Sequence, residues 1–238
     1  MLDLAHVRIL VATLLLAGCA AIEPAATTFP AEKRLQAYNA AVVAAAVPPQ
    51  GGTKTPLLQV EEGEVQVVSW NDPKFYPIGD QTLDRNVWVT IVPQVQNMCR
   101  ALPNGGTTAR MEELLGLAPG DGTGRQMIVM TTETRHLFRP CADPSLDQTT
   151  CPLSVPNARP IDYPEDHWNA DLAFVLNQAS TSYVQTGGYP FTRLGYTYDW
   201  NAASPDNVGP SEFLVRNGTK VAVTAQVPTG DYCAAPSG

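Results

Sequence analysis

Four cysteines limit what this chain can fold into. Cys99, Cys141, Cys151 and Cys233 all follow a short apolar stretch, Ile9 to Ala17. That stretch is well short of the ~20 residues that a membrane-crossing helix needs and suits the apolar part of a secretory signal. An even number of cysteines in an exported chain reads as two disulfides, and four allow three pairings. Cys141 and Cys151 bracket a polar, turn-rich segment, Ala142 to Thr150, so a local clamp is the simplest pairing. It leaves Cys99 with Cys233, which ties the C-terminal tail to the first half of the domain. Zinc is the rival reading. No pair has the short spacing of a zinc knuckle, and neither a metal nor a cofactor is expected.

The apolar stretch ends in Leu15-Leu16-Ala17-Gly18-Cys19. This resembles the lipobox of bacterial lipoproteins, with Leu16 three residues before the cysteine and small residues leading to it. The resemblance implies a signal peptide over 1–18, a diacylglyceryl group on Cys19, and Cys19 as the first residue of the mature chain. Ala20 stands where an aspartate often marks retention at the inner membrane. The implied address is therefore the outer membrane, with the domain facing the periplasm or the cell surface. Several acyl chains, palmitate-type chains among them, anchor stably where one is marginal.

Beyond the signal lie about 220 residues, enough for one large domain at ~100–200 residues per domain. Hydrophobic residues make up 44% of the chain, and the net charge is −8. An acidic chain is a poor partner for nucleic acid or anionic lipid. Residues 19–56 are rich in alanine and proline and read as a tether. Within it, Pro30 to Val47 admits one helix, with Leu35, Tyr38, Val42 and Ala45 on one face. That helix is free to dock or to stay loose.

A single globular domain is expected over 57–238. Val65–Trp70 and Val87–Val92 are β-rich, and Pro93 ends the second run. Thr107 and Thr108 offer N-caps to a helix over Ala109–Leu115, with Gly116 as its C-cap. Gln126–Thr131 follows as a strand, so strand, helix and strand suggest a crossover. Residues 140–164 are proline-rich and read as irregular. Asp162 and Glu165 form a capping-box pair ahead of the clearest helix, in which Trp168, Leu172, Val175, Leu176, Ala179 and Tyr183 recur at helical spacing. Phe191–Trp200 alternates as a strand, and Asn217-Gly218 between two β-rich runs is a strong hairpin signal. The predicted class is α+β: a mainly antiparallel sheet packed against an amphipathic helix and held by disulfides.

Chemical motifs are sparse. The glycine-rich loop 119–124 follows a helix, whereas a phosphate loop opens one, so it reads as a turn. His167 beside Asp162, Glu165 and Asp166 reads as an acidic first helical turn favoured by the helix dipole rather than as a metal site. No Gly-x-Ser-x-Gly elbow is present. Ser211-Glu212-Phe213-Leu214-Val215 with Gly218-Thr219-Lys220 resembles the glutamate-bearing hairpin of mono-ADP-ribosyltransferases. Ser180-Thr181-Ser182 resembles their middle motif, and Arg139 precedes both. The resemblance implies that Arg139 holds a nicotinamide dinucleotide, Ser180 supports its site and Glu212 polarises the ribose. The leading expectation is a non-enzymatic binding or scaffolding domain, with an envelope protein or glycan as partner and the membrane reached through the lipid. An exported transferase is the alternative. Tyr196, Tyr198 and Trp200 share one face of the aromatic strand; that face is expected to pack under the 165–186 helix, and any part left wet is the candidate recognition row, with Arg193 and Asp199 as rim residues opposite.

Overall fold

The computed structural model describes residues 28–49, 52–53, 55–184 and 187–234; Cys19 and its motif lie outside them. The strands are β1 (Glu64–Asn71), β2 (Gly79–Thr82), β3 (Val87–Ile91), β4 (Gln126–Glu133), β5 (Leu137–Phe138), β6 (Tyr196–Tyr198), β7 (Val208–Ser211), β8 (Phe213–Val215) and β9 (Lys220–Val227). The helices are α1 (Thr28–Ala45), α2 (Gln94–Ala101), α3 (Thr108–Leu114), α4 (Glu165–Ser182) and α5 (Thr229–Ala234). Seven strands form one antiparallel sheet in the order β2-β9-β4-β1-β3-β8-β5, and β6 pairs with β7 separately. The class is α+β, as the sequence predicts.

Two short connections force this sheet to coil. β8 and β9 are four places apart in the sheet, ~19 Å if it were flat. The chain from Val215 to Lys220 spans at most ~18 Å fully extended. The link from β2 to β3 poses the same problem. Coiling answers both, and the two links are stitched together. The Leu83 amide donates to the Thr219 carbonyl at 2.9 Å, and the Gly218 amide donates to the Leu83 carbonyl at 2.9 Å. The Asn217-Gly218 turn therefore does not make the predicted hairpin. β8 pairs with β3 and β5, and β9 with β2 and β4. The turn instead carries the chain across the mouth of the coil.

Alternation along the strands divides the core. Val67, Val87, Val89, Ile91, Ile128, Met130, Phe213, Val215, Val221 and Val223 fill the inside. On the outside Val68, Trp70 and Met127 pack beneath α2, α3 and α5, and Trp88 and Leu214 pack near α4. β3 and β4 flank β1, each antiparallel to it, so they run parallel, and α2 and α3 form the crossover between them. Cys99–Cys233 ties α2 to α5, and Cys141–Cys151 closes the irregular loop, with Cα separations of 5.6 and 6.1 Å. Both predicted pairings are present.

The Ala-rich segment is docked. Tyr38, Ala41, Val42 and Ala45 of α1 are buried, while Leu35 is exposed. The Tyr38 ring meets Trp200 edge-on at 5.9 Å, and its hydroxyl donates to the Gly188 carbonyl at 2.7 Å. Arg34 pairs with Glu112 at 3.1 Å. α4 starts at Glu165 with Pro164 as its N-cap residue and no side-chain cap bond, so the predicted Asp162–Glu165 capping box does not form. Its anchor is Asp171, which accepts from Arg216 Nη2 at 2.6 Å and from the Tyr163 hydroxyl at 2.7 Å. Of the predicted strand 191–200 only Tyr196–Tyr198 is a strand, because Arg193 and Gly195 take left-handed conformations and break the alternation.

Candidate functional site

On the outer face of the sheet, between the α2–α3 side and α4, lies a cavity of about 420 Å³. That is within the roughly 300–1,000 Å³ usual for small-molecule sites. Val68, Trp70, Trp88, Val95 and Met127 supply apolar wall. The strand register orders its two ends. Val68 pairs with Thr90, and Asn71 pairs with Gln126. Asn71, Arg125 and Asn86 therefore lie toward one end of the sheet, and Thr90 and Glu212 toward the other. Four residues of strand from Asn86 to Thr90 span ~13 Å.

Glu212 is the unusual group. It sits between β7 and β8, directly before Phe213, whose ring points into the coil. Glu212 is 2% exposed, and neither carboxyl oxygen has a hydrogen-bond partner among the described residues. Its backbone amide is satisfied by the Gly195 carbonyl at 3.0 Å. Burial pushes its carboxyl up to about 8, an effect partly offset by the charge of Arg139. It is therefore mostly protonated at neutral pH, offering one donor and one acceptor. The Thr90 hydroxyl, one register step from the Val89–Phe213 pair, is also buried and unpartnered. Tyr189 borders the same end, its phenol held well above the usual range by burial and then by Glu212. The Trp88 and Tyr189 rings stand 6.0 Å apart and tilted by 47°; both are half-buried.

The other end is cationic. Arg85 and Arg125 both lie within electrostatic range of the Tyr76 phenol, which burial raises. Arg85 pairs with Asp84 at 2.8 Å. Arg125 donates to the Asp121 and Trp70 carbonyls at 2.6 and 2.8 Å, and among the described residues it forms no ion pair with a carboxylate.

Of the three residues grouped by the transferase resemblance, Glu212 alone lines the cavity. Arg139 is fully buried. Its Nη2 donates to the Leu58 carbonyl at 2.7 Å, its Nε to the Ser145 carbonyl at 3.4 Å, and its guanidinium lies 4.7 Å from the Phe213 ring. Burial lowers it to about 10, against the opposing charges of Asp143, Glu212 and Asp147. It latches the disulfide loop to the segment at Leu58. Ser180 is on the exposed side of α4, its hydroxyl donating to the Asn177 carbonyl at 2.7 Å. The structure brings Arg139 within electrostatic reach of Glu212 and leaves Ser180 outside.

The aromatic row is mostly covered. Trp200 is buried beneath α1, and its indole N–H donates to the Leu117 carbonyl at 3.0 Å. Tyr196 is buried against the Cys141–Cys151 bridge, and Tyr198 is half-buried. Tyr196 and Tyr198 border a second, smaller cavity of about 140 Å³ beside the end of α1. The covering element is thus α1 and not α4, which packs on Phe138, Phe191 and Leu214. Asp199 is not a rim residue either: it is buried and pairs with Arg110 through both oxygens. In the glycine-rich loop the amides of Gly120 and Gly122 donate to Glu112 at 2.8 and 3.0 Å, so the loop is folded around a carboxylate of its own.

Among the described residues no group of three or more His, Cys, Asp or Glu is placed to hold a metal ion, and no helix is long and apolar enough to cross a membrane. Sequence reasoning grouped Glu212 with Arg139, which lies within its electrostatic reach, and with Ser180, which does not border the cavity, and it missed Thr90, Trp88, Tyr189 and Arg125. The one available signal was an acid set among Phe213, Leu214 and Val215 in an otherwise apolar strand. Comparison with known protein families, with curated proteins and with solved structures gives no match.

Proposed function

We propose that this chain is an outer-membrane lipoprotein, anchored through acylated Cys19, whose domain is a binding module for one small molecule in the Glu212 cavity. The supporting observation is that Glu212, whose two buried carboxyl oxygens have no hydrogen-bond partner among the described residues, borders a cavity with a largely apolar middle. A buried polar group without a partner costs about 1–3 kcal/mol, and a bound ligand that hydrogen-bonds to it recovers that cost. The volume suits a small molecule rather than a protein segment or glycan chain. The Leu-Ala-Gly-Cys motif supports the anchor.

Two measurements test the reading. Trp70 and Trp88 border the cavity, so a small-molecule collection screened by tryptophan fluorescence should yield binders whose signal is lost in Trp88→Phe. A collection without binders, or binders whose response survives both Trp88→Phe and Trp70→Phe, contradicts the binding module. Mass spectrometry of the membrane fraction should find a lipid-modified peptide starting at Cys19. A soluble chain with an unmodified N-terminus contradicts the anchor.

A further inference from the structure

The chemistry at the two ends of the cavity narrows its ligand, and this step rests on the binding reading above. At one end is the buried carboxyl group of Glu212, beside the Thr90 hydroxyl, which has no hydrogen-bond partner among the described residues. At the other is a guanidinium pair, Arg85 and Arg125, with the Asn71 amide donating to the Tyr76 hydroxyl at 3.2 Å. Between them, over ~13 Å of strand, the wall is apolar and aromatic: Val68, Trp70, Trp88 and Met127.

Charge separates the alternatives. Among the described residues Glu212 is the only acid on the cavity wall, and the two other charged residues there are arginines. Arg139, a third guanidinium, lies within electrostatic range behind Glu212. A cationic ligand would meet three like charges and a carboxyl group that holds its proton. An anion meets attraction. Arg85 is matched by Asp84. Asp72 is in range of Arg125 but is paired with Lys74 at 2.7 Å. Among the described residues at this end of the cavity, one guanidinium charge, that of Arg125, is left to be matched. A guanidinium takes carboxylate and phosphate alike through two parallel N–H···O bonds, but a phosphate monoester brings nearly two charges, so a single unmatched charge favours one carboxylate.

We propose that the cavity binds an elongated monocarboxylate. Its carboxylate sits at Arg125, its flat apolar body lies along Trp88 and Trp70, and a neutral hydroxyl or amide at its far end hydrogen-bonds to Glu212. Trp88 and Tyr189 form the wall past which that far end reaches the carboxyl group. Glu212 accepts from or donates to it without losing its proton, so binding leaves the protonation of the site unchanged.

The test uses four matched probes on the folded domain by isothermal titration calorimetry at pH 6.5. They are trans-4-hydroxycinnamate, cinnamate without the far hydroxyl, methyl 4-hydroxycinnamate without the anion, and tyramine with a cation in its place. The hydroxy acid should bind at least tenfold more tightly than each of the other three, with no net proton uptake or release in buffers of different ionisation enthalpy. In Arg125→Gln the acid should bind no better than its ester. In Glu212→Met it should bind no better than cinnamate, and retained binding of cinnamate shows that the variant is folded. Preference for the ester or for tyramine overturns the carboxylate assignment while leaving a binding cavity in place. Binding of none of the four also overturns it, and the tryptophan screen then decides separately whether the cavity binds anything.

Discussion

Thr90 and Glu212 are neighbours at one end of the same cavity, and neither the hydroxyl nor the carboxyl group has a hydrogen-bond partner among the described residues. A Glu212 carboxyl held at about 8 in the folded chain, against roughly 4.3 when unfolded, means that the folded state binds the extra proton between those values. Stability from this group is complete below about pH 4.3 and declines as pH rises to about 8. The decline is on the order of 3–5 kcal/mol at 1.36 kcal/mol per pH unit of difference. Glu212→Gln should remove it. The difference in unfolding free energy between the variant and the parent should grow in the variant's favour from pH 5 to pH 8. A constant difference would show that Glu212 titrates normally.

The Arg110–Asp199 pair should be a large single contributor. Its Nη1–Oδ1 and Nη2–Oδ2 distances are 2.9 and 2.6 Å, and both side chains are buried. Asp199→Asn leaves the buried guanidinium only the longer contact to Glu113, at 3.8 Å, as counter-charge, a change that costs up to about 3–5 kcal/mol. Urea unfolding at pH 7 should show it. A change under about 1 kcal/mol would mean that the site is wetter than its geometry indicates.

How much of this was legible in the sequence follows from how far each feature reaches along the chain. α1, α3 and α4 were readable because helical periodicity and caps are local: Thr107 caps α3 by accepting from the Arg110 amide, as its position predicts. β1, β3 and β4 were readable as β-branched runs. The disulfides followed from the spacing of Cys141 and Cys151 and the remaining pair. The pairing of β8 and β9 was not readable, because Asn217-Gly218 turns the chain without specifying which strands it joins. Nor was the burial of Asp199, which depends on Arg110, 89 residues away. α2 carries no N-terminal signal beyond Pro93, and its N-cap makes no side-chain bond. The candidate site was the least legible part, since its walls come from β1, β3, β4 and α4 together.

Docking of α1 predicts that the alanine-rich segment is part of the folded unit and not merely a spacer. Tyr38→Ala removes a buried ring and its bond to Gly188, at a cost of about 3–5 kcal/mol by the usual penalty for a buried aromatic residue. Calorimetry should show one transition, shifted down. An unchanged midpoint would show that α1 contributes nothing to the stability of the domain.

Cys99–Cys233 spans 134 residues and Cys141–Cys151 spans 10. In the chain-entropy model the long loop stabilises more. The double variant Cys99→Ser/Cys233→Ser should lose about 2–5 kcal/mol and more than Cys141→Ser/Cys151→Ser. The reverse order by denaturant unfolding would show that latching of the 141–151 loop by Arg139 outweighs loop entropy.

The protonation of Glu212 and its response to ligand test the binding account most directly. With glutamate labelled at the side-chain carboxyl carbon, NMR titration resolves Glu212 by its absence from the Glu212→Gln spectrum. The account predicts a midpoint near 8 for the free domain and a shifted Glu212 signal, still protonated at pH 6.5, when trans-4-hydroxycinnamate binds. A midpoint near 4.3, with a Glu212 signal indifferent to every molecule that binds the domain, would contradict it.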